Sequence, residues 1–264
     1  MEFEKIFKKS WEDYKINIKS IIVFMIVFAG IIGLIQVIHT GIWAILDESI
    51  RAMLLTDNLV KEPMLLTNNL GKDFFPWRFL LPSGILGLIG FFLSIFIYTG
   101  LIGASLKHKK FTYNNLVSQG QIFYLKYLGL LVVSGLFLIG LFLLLIIPGI
   151  IFMGYWIFSS YVLFDERKGI LESLKRSREL VKGKWWTVFG YSLLLMLIFL
   201  GIIIVFSLIA LPLYFIQGIS LEYFIFSIIA NFLLSFIFSI FFTPFLVLFY
   251  KNFYLEIKKT KRKK

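Results

Sequence analysis

YLGLLVVSGLFLIGLFLLLIIPGIIFMGYWIFSSYVLF, Tyr127 to Phe164, runs for 38 residues without one charged side chain. About 20 apolar residues at helical rise cross the hydrocarbon core of a bilayer, so the stretch is nearly twice as long as one span. Pro148-Gly149 interrupts it. Proline continues a helix interior only at high cost and glycine accepts turn conformations, so the pair predicts two helices, 127–147 and 150–164, joined by a tight turn. The second is short for a span, and its start can lie a few residues ahead of the turn.

Working outward, four further apolar runs have the length of a span: 21–46, 79–106, 185–211 and 223–250. The expectation is an all-α, polytopic membrane helical bundle of six spans. Composition agrees: of 264 residues 59% are hydrophobic and 31 are Phe, against about 45–50% apolar content in ordinary soluble domains. Mean hydropathy is +0.89. The run from Ile21 follows twenty residues rich in charge and has no A-x-A-like site behind it, so it reads as a retained span. The absence of cysteine removes disulfides, thiolate chemistry and Cys-ligated metals.

Charge placement gives the orientation. Of 27 basic residues, five precede the first span, four lie in Lys107 to Lys126, seven in Arg167 to Lys184 and seven from Lys251 onward. Only Arg51, Lys61, Lys72 and Arg78 fall in the intervening segments. The positive-inside bias then puts both termini in the cytoplasm of a multi-pass cell-membrane protein, and an odd number of spans would destroy the sorting. The net charge of +12 is a membrane-surface signal on this reading, and no nucleic-acid partner is expected. No Asp, Glu, Lys or Arg lies inside any span, which weakens ion-coupled transport. The polar candidates at membrane depth are Gln36 and His39, three apart on one helix face, and Asn231. They suit interhelical hydrogen bonding, or a polar cavity in a transporter of an uncharged or lipidic solute. Pro212 and Pro244 read as helix kinks.

Between the spans, Phe3, Ile6, Phe7, Trp11 and Tyr14 recur at three- and four-residue steps with lysines opposite, which predicts an amphipathic interfacial helix over 3–17. A second is predicted over 169–183, with Ile170, Leu171, Leu174 and Val181 on its apolar stripe. Lys8, Ser10, Glu12 and Lys15 recur as Lys175, Ser177, Glu179 and Lys182 at a constant offset. A weaker third copy starts where Thr112 can cap a helix. Three such copies would make the chain three repeated units of interfacial helix plus transmembrane hairpin. The outer loop, 47–78, is too short for an independent catalytic domain, and 251–264 is a basic tail.

The candidate surface is Lys175, Arg176, Arg178, Lys182 and Lys184 with Trp185 and Trp186, read as a docking face for anionic lipid headgroups or a protein partner, which can be a second copy of the chain. The alternative is an orienting loop whose charges only satisfy topology. No G-x-S-x-G, H-E-x-x-H or phosphate-binding glycine loop occurs, so no catalytic set, cofactor or metal is expected. Asp47, Glu48, Asp57, Glu62 and Asp73 are the loose acids that an outer-face lipid enzyme would need.

Ile147-Pro148-Gly149-Ile150, Tyr161 to Glu166 and Leu174 to Trp186 together resemble the uncharacterised six-span membrane families of bacteria and archaea that include the membrane domain joined to some glycerophosphodiester phosphodiesterases. The resemblance covers spans three to five and implies an integral membrane protein. The catalytic domain of the fused members has no counterpart in this chain, so their activity is not implied. The leading expectation is a non-enzymatic membrane component that organises lipid or a partner.

Overall fold

The computed structural model describes residues 2–56, 77–216 and 221–262, with side chains left out at 39–56, 77–83, 209–216, 221–232 and a few further positions, Gln36 among them. Those residues are helical with no strand: α1 (Phe3–Thr56), α2 (Trp77–Lys107), α3 (Tyr113–Leu144), α4 (Ile146–Trp156), α5 (Ser159–Asp165), α6 (Ile170–Val181), α7 (Trp185–Ile216) and α8 (Leu221–Arg262). Six segments among them are long and apolar enough to cross a membrane: Phe3–Ile35, Gly84–Lys107, Tyr113–Leu144, Ile146–Asp165, Trp185–Val205 and Ser239–Arg262.

The uncharged stretch does fold back as a helical hairpin, since Phe137 meets Trp156 at 6.1 Å and Phe123 stacks on Phe164 at 4.4 Å between ring centroids. The reversal comes earlier than Pro148-Gly149, however. Leu145 alone is extended, with φ −159° and ψ 132°, and its N–H closes α3 on Leu141 O. Pro148 sits in the first turn of α4, where its missing N–H would have had no partner in the helix. Gly149 serves close approach: a Cβ there would lie 2.6 Å from the Phe142 ring.

Two of the three expected interfacial helices are not separate elements. Residues 3–17 form the start of the single 54-residue helix α1, and the turns after Thr112 run on into the span of α3. No glycine or proline stands between Asn17 and Ile21, or between Ile122 and Tyr127, to stop a helix already under way. The basic tail is likewise helical as far as Arg262, the last turns of α8, which passes unbroken through Pro244. Thr112 caps α3 as its position suggested, accepting from Asn115 N at 3.4 Å while the Asn115 side chain accepts from Thr112 N at 2.9 Å. Only α6 stands alone, released by Gly183 at φ +82°.

The core is built by α1 against α8 and by α2 against α3. On α1 the buried residues Ile6, Ser10, Asp13, Tyr14, Asn17, Ile21, Phe24 and Met25 follow a three- and four-residue rhythm, one stripe of a helix. Phe7 meets Phe245 at 5.0 Å and Phe3 meets Phe249 at 5.4 Å, while Tyr14 lies nearer Phe241, so the two helices run antiparallel. Helices α2 and α3 approach so closely that a Cβ on Gly100 would lie 2.7 Å from Leu116 O. Outward-facing side chains of α3 and α7, including Leu136, Leu143, Leu197 and Leu208, are apolar and exposed. A water-soluble fold has no use for apolar belts of that extent.

Candidate functional site: the basic end of the bundle

Hydrogen bonds gather all four basic segments at one end of the bundle. On α1, Asn17 Nδ2 donates to Lys109 O at 3.0 Å and Asn17 Oδ1 accepts from Phe111 N at 2.8 Å, which ties the α2–α3 link to the first helix. Lys261 Nζ near the end of α8 donates to Lys182 O at 2.9 Å, and Tyr161 on α5 donates to Val247 O at 3.0 Å. The first turns of α1, the link after Lys107, α6 with its flanks and the last turns of α8 therefore share one face of the molecule.

Helix α6 is seated there by a mixed face. Leu174, Leu180 and Val181 are buried together with Ser173 and Ser177. Ser177 Oγ donates to Tyr155 O at 2.7 Å and accepts from Phe158 N at 3.2 Å. Those two backbone groups belong to the break between α4 and α5, so Ser177 supplies the partners that a continuous helix would have provided. Ser10, its counterpart at the constant sequence offset, is equally buried and donates to Ile6 O while accepting from Asn252 Nδ2. Leu171, expected on the apolar stripe, faces outward instead and is 64% exposed. It starts a row with Lys175, Arg178 and Lys182, because steps of four, three and four residues return to one side of a helix. Trp186, 78% exposed, follows at the start of α7.

The basic residues proposed as one surface divide into two kinds. Arg176 is structural: its Nη1 donates to Glu179 at 3.2 Å, and its Nε lies 3.3 Å from Glu166 Oε2 as an ion pair without an aligned hydrogen bond. Lys258 of α8 completes this cluster, with Nζ 2.5 Å from Asp165 Oδ2 and 3.1 Å from Glu166 Oε1, and Tyr254 Oη also donates to Asp165. Burial pushes the Glu166 carboxyl upward, but Lys258, Lys168 and Arg176 outweigh it and hold the group below its ordinary value. Burial lowers Arg176, and Glu179 with Glu166 more than reverse this. The result is an electrostatic staple between α5, α6 and α8.

Lys175 and Lys182 are exposed and make no ion pair among the described residues, while Arg178 lies over the rings of Phe152 and Tyr155 at 5.4 and 5.7 Å. Lys184 is half-buried. Trp185 packs inward, its indole N–H on Ile151 O at 3.0 Å and its ring against Gly154. Trp186 alone of the pair is available to a membrane or partner.

A second polar cluster was not legible as a unit. Asp13 and Lys251, each 8% exposed, form an ion pair across α1 and α8, and Asn252 Nδ2 donates to both Asp13 Oδ2 and Ser10 Oγ. The available signal was the polar row Ser10, Asp13, Asn17 within an otherwise apolar stripe; nothing local pointed to its partner 238 residues away.

Gln36, His39 and Asn231 lie outside the residues whose side chains are described, as do Asp47, Glu48, Asp57, Glu62 and Asp73 of segment 47–78. Among the described residues no three His, Asp or Glu side chains gather where they would hold a metal ion. No family model, curated protein or solved structure matches the chain.

Proposed function

We propose that the chain is a multi-pass cell-membrane protein, its termini in the cytoplasm, that catalyses no reaction and organises anionic lipid, or a partner protein presented with it, along the outer row of α6. The observation that carries this reading is the row itself: exposed Leu171 and Trp186 bracket Lys175, Arg178 and Lys182. Apolar side chains in that position sink into the headgroup layer while lysines reach phosphates, the arrangement of an interfacial helix. The six candidate spans and the convergence of the basic segments at one end support the orientation through the positive-inside bias. The three-unit repeat enters only as Ser10 and Ser177, two buried serines in matching places.

The test is a Lys175→Glu/Lys182→Glu variant, with Arg176 left in place because it holds Glu166. Reconstituted in phosphatidylcholine containing a minor share of phosphatidylglycerol, wild type is expected to enrich the anionic lipid around itself severalfold more than the variant. Both should resist alkaline extraction equally. Equal enrichment would sink the lipid reading, and release of wild type by alkali would sink the membrane reading.

A further inference from the structure

The links after α2, α5 and α6 hold Lys109-Lys110, Arg167-Lys168 and Lys182 to Lys184, and all three lie at the basic end of the bundle. The turn between α3 and α4 is of another kind. At Leu145 the chain reverses on aliphatic residues alone: Leu143, Leu144, Leu145, Ile146 and Ile147 are 66–82% exposed. No charged, hydroxyl or amide side chain stands between Ser134 and Tyr155. Facing water, such a turn would present a continuous aliphatic patch with no group to hydrate. Its backbone is economical as well. Leu145 N–H donates to Leu141 O at 2.9 Å and Gly149 N–H to Leu145 O at 3.5 Å, while Pro148 has no N–H to place. Of the donors that open α4, those of Ile146 and Ile147 are left over among the described residues. A short break of this sort limits the cost of backbone groups left open in hydrocarbon.

Contacts with α6 and α7 limit how far this turn lies from the headgroups. Arg178 of α6 stands 5.4 Å over the Phe152 ring, and the Trp185 indole at the start of α7 donates to Ile151 O at 3.0 Å. Phe152 is seven residues from Leu145, about 10 Å of helix rise, and any tilt of α4 only reduces that depth. With the ring contact and the Phe side chain added, the Arg178 guanidinium is at most about 20 Å from the turn. The hydrocarbon core is about 30 Å thick. Helix α7, by contrast, continues from Trp185 for 32 residues, about 48 Å. We infer that the α3–α4 hairpin is re-entrant: it enters from the basic side, turns inside the bilayer with acyl chains around its aliphatic tip, and does not reach the far headgroups. Its arms return the chain to the basic side as two full spans would, so the sorting of charge is unaffected. The inference rests on the membrane embedding and the interfacial place of α6 proposed above.

Depth measured by fluorescence quenching tests it. The chain has no cysteine, so Leu144→Cys and Ile147→Cys in the full chain each take a single bimane label, and both side chains are exposed, so folding is not at stake. The labelled proteins are reconstituted in phosphatidylcholine vesicles that carry a nitroxide at the headgroup, near the start of the acyl chain, or near its end. Quenching at both positions is expected to be strongest, by about twofold, with the nitroxide near the chain end, which marks the bilayer centre. The same label on Lys109→Cys, in the link after α2, should be quenched best from the headgroup. Strongest quenching of the tip labels by a headgroup or chain-start nitroxide overturns the inference, as does reaction of Leu144→Cys with an impermeant maleimide from the side opposite Lys109→Cys. Weak and equal quenching from all three depths also overturns it, because protein rather than lipid would then cover the tip. Wild type that resists alkaline extraction while the tip labels fail this test leaves the membrane reading standing, and release of wild type by alkali removes both.

Discussion

Glu166 shows how one residue can be plain in the sequence while its role is not. Within Asp165-Glu166-Arg167-Lys168 it looks like part of a solvated charge run, and its value appears only when Lys258 and Arg176 arrive from α8 and α6. Because its folded pKa lies below the unfolded value of about 4.3, the stabilisation is complete above that value and drains as pH falls through the folded one. Glu166→Gln is therefore expected to cost about 1–2 kcal/mol at pH 7, after allowance for screening by solvent. The same variant should lose less stability than wild type when a detergent melt is repeated between pH 5 and 3, roughly the range in which a carboxylate with a depressed pKa takes up its proton. Parallel acid curves for the two proteins would remove Glu166 from the staple.

At the scale of elements, the hairpin and the extra helix were both legible, but their ends were set by different residues from those that stand out. Pro148-Gly149 attracts attention, yet Leu145 makes the break and Gly149 makes room for Phe142. Gly183 was the better guide, since its positive φ is what separates α6 from α7. Close packing of α2 on α3 is a second element-level feature with a direct test. Gly100→Val places new atoms against the Leu116 carbonyl and is expected to destabilise the pair by about 1–3 kcal/mol, read as a lowered melting temperature in detergent. A melting temperature equal to wild type would mean that the helices stand further apart.

For the whole molecule, the antiparallel pairing of α1 with α8 and the bonds from Asn17 and Lys261 to distant loops predict that every basic segment opens to the same side. The chain contains no cysteine, so each position can be tested singly against a silent background. Lys8→Cys, Lys109→Cys, Lys175→Cys and Lys259→Cys in sealed inverted vesicles are all expected to react with a membrane-impermeant maleimide, and none in intact cells. One residue of the four labelled from the opposite side would break the arrangement.

Hydropathy and the sorting of lysine and arginine determined, without any tertiary information, a helical chain with six span-length apolar segments and the grouping of its charge, because apolar length and charge are properties of contiguous sequence. Local sequence also showed where α6 lies. The tertiary structure decided which cations remain free: Arg176 and Lys258 are neutralised by Asp165, Glu166 and Glu179, and Lys251 by Asp13, while Lys5, Lys9, Lys175, Lys182 and Lys259 are left exposed. It also decided that residues 3–17 belong to a long helix packed on α8, and that Asn252 of α8 donates to Ser10 and Asp13 of α1. The pairs of Lys258 with Asp165 and of Lys251 with Asp13 reach across 93 and 238 residues, and no periodicity within one segment encodes such a neighbour.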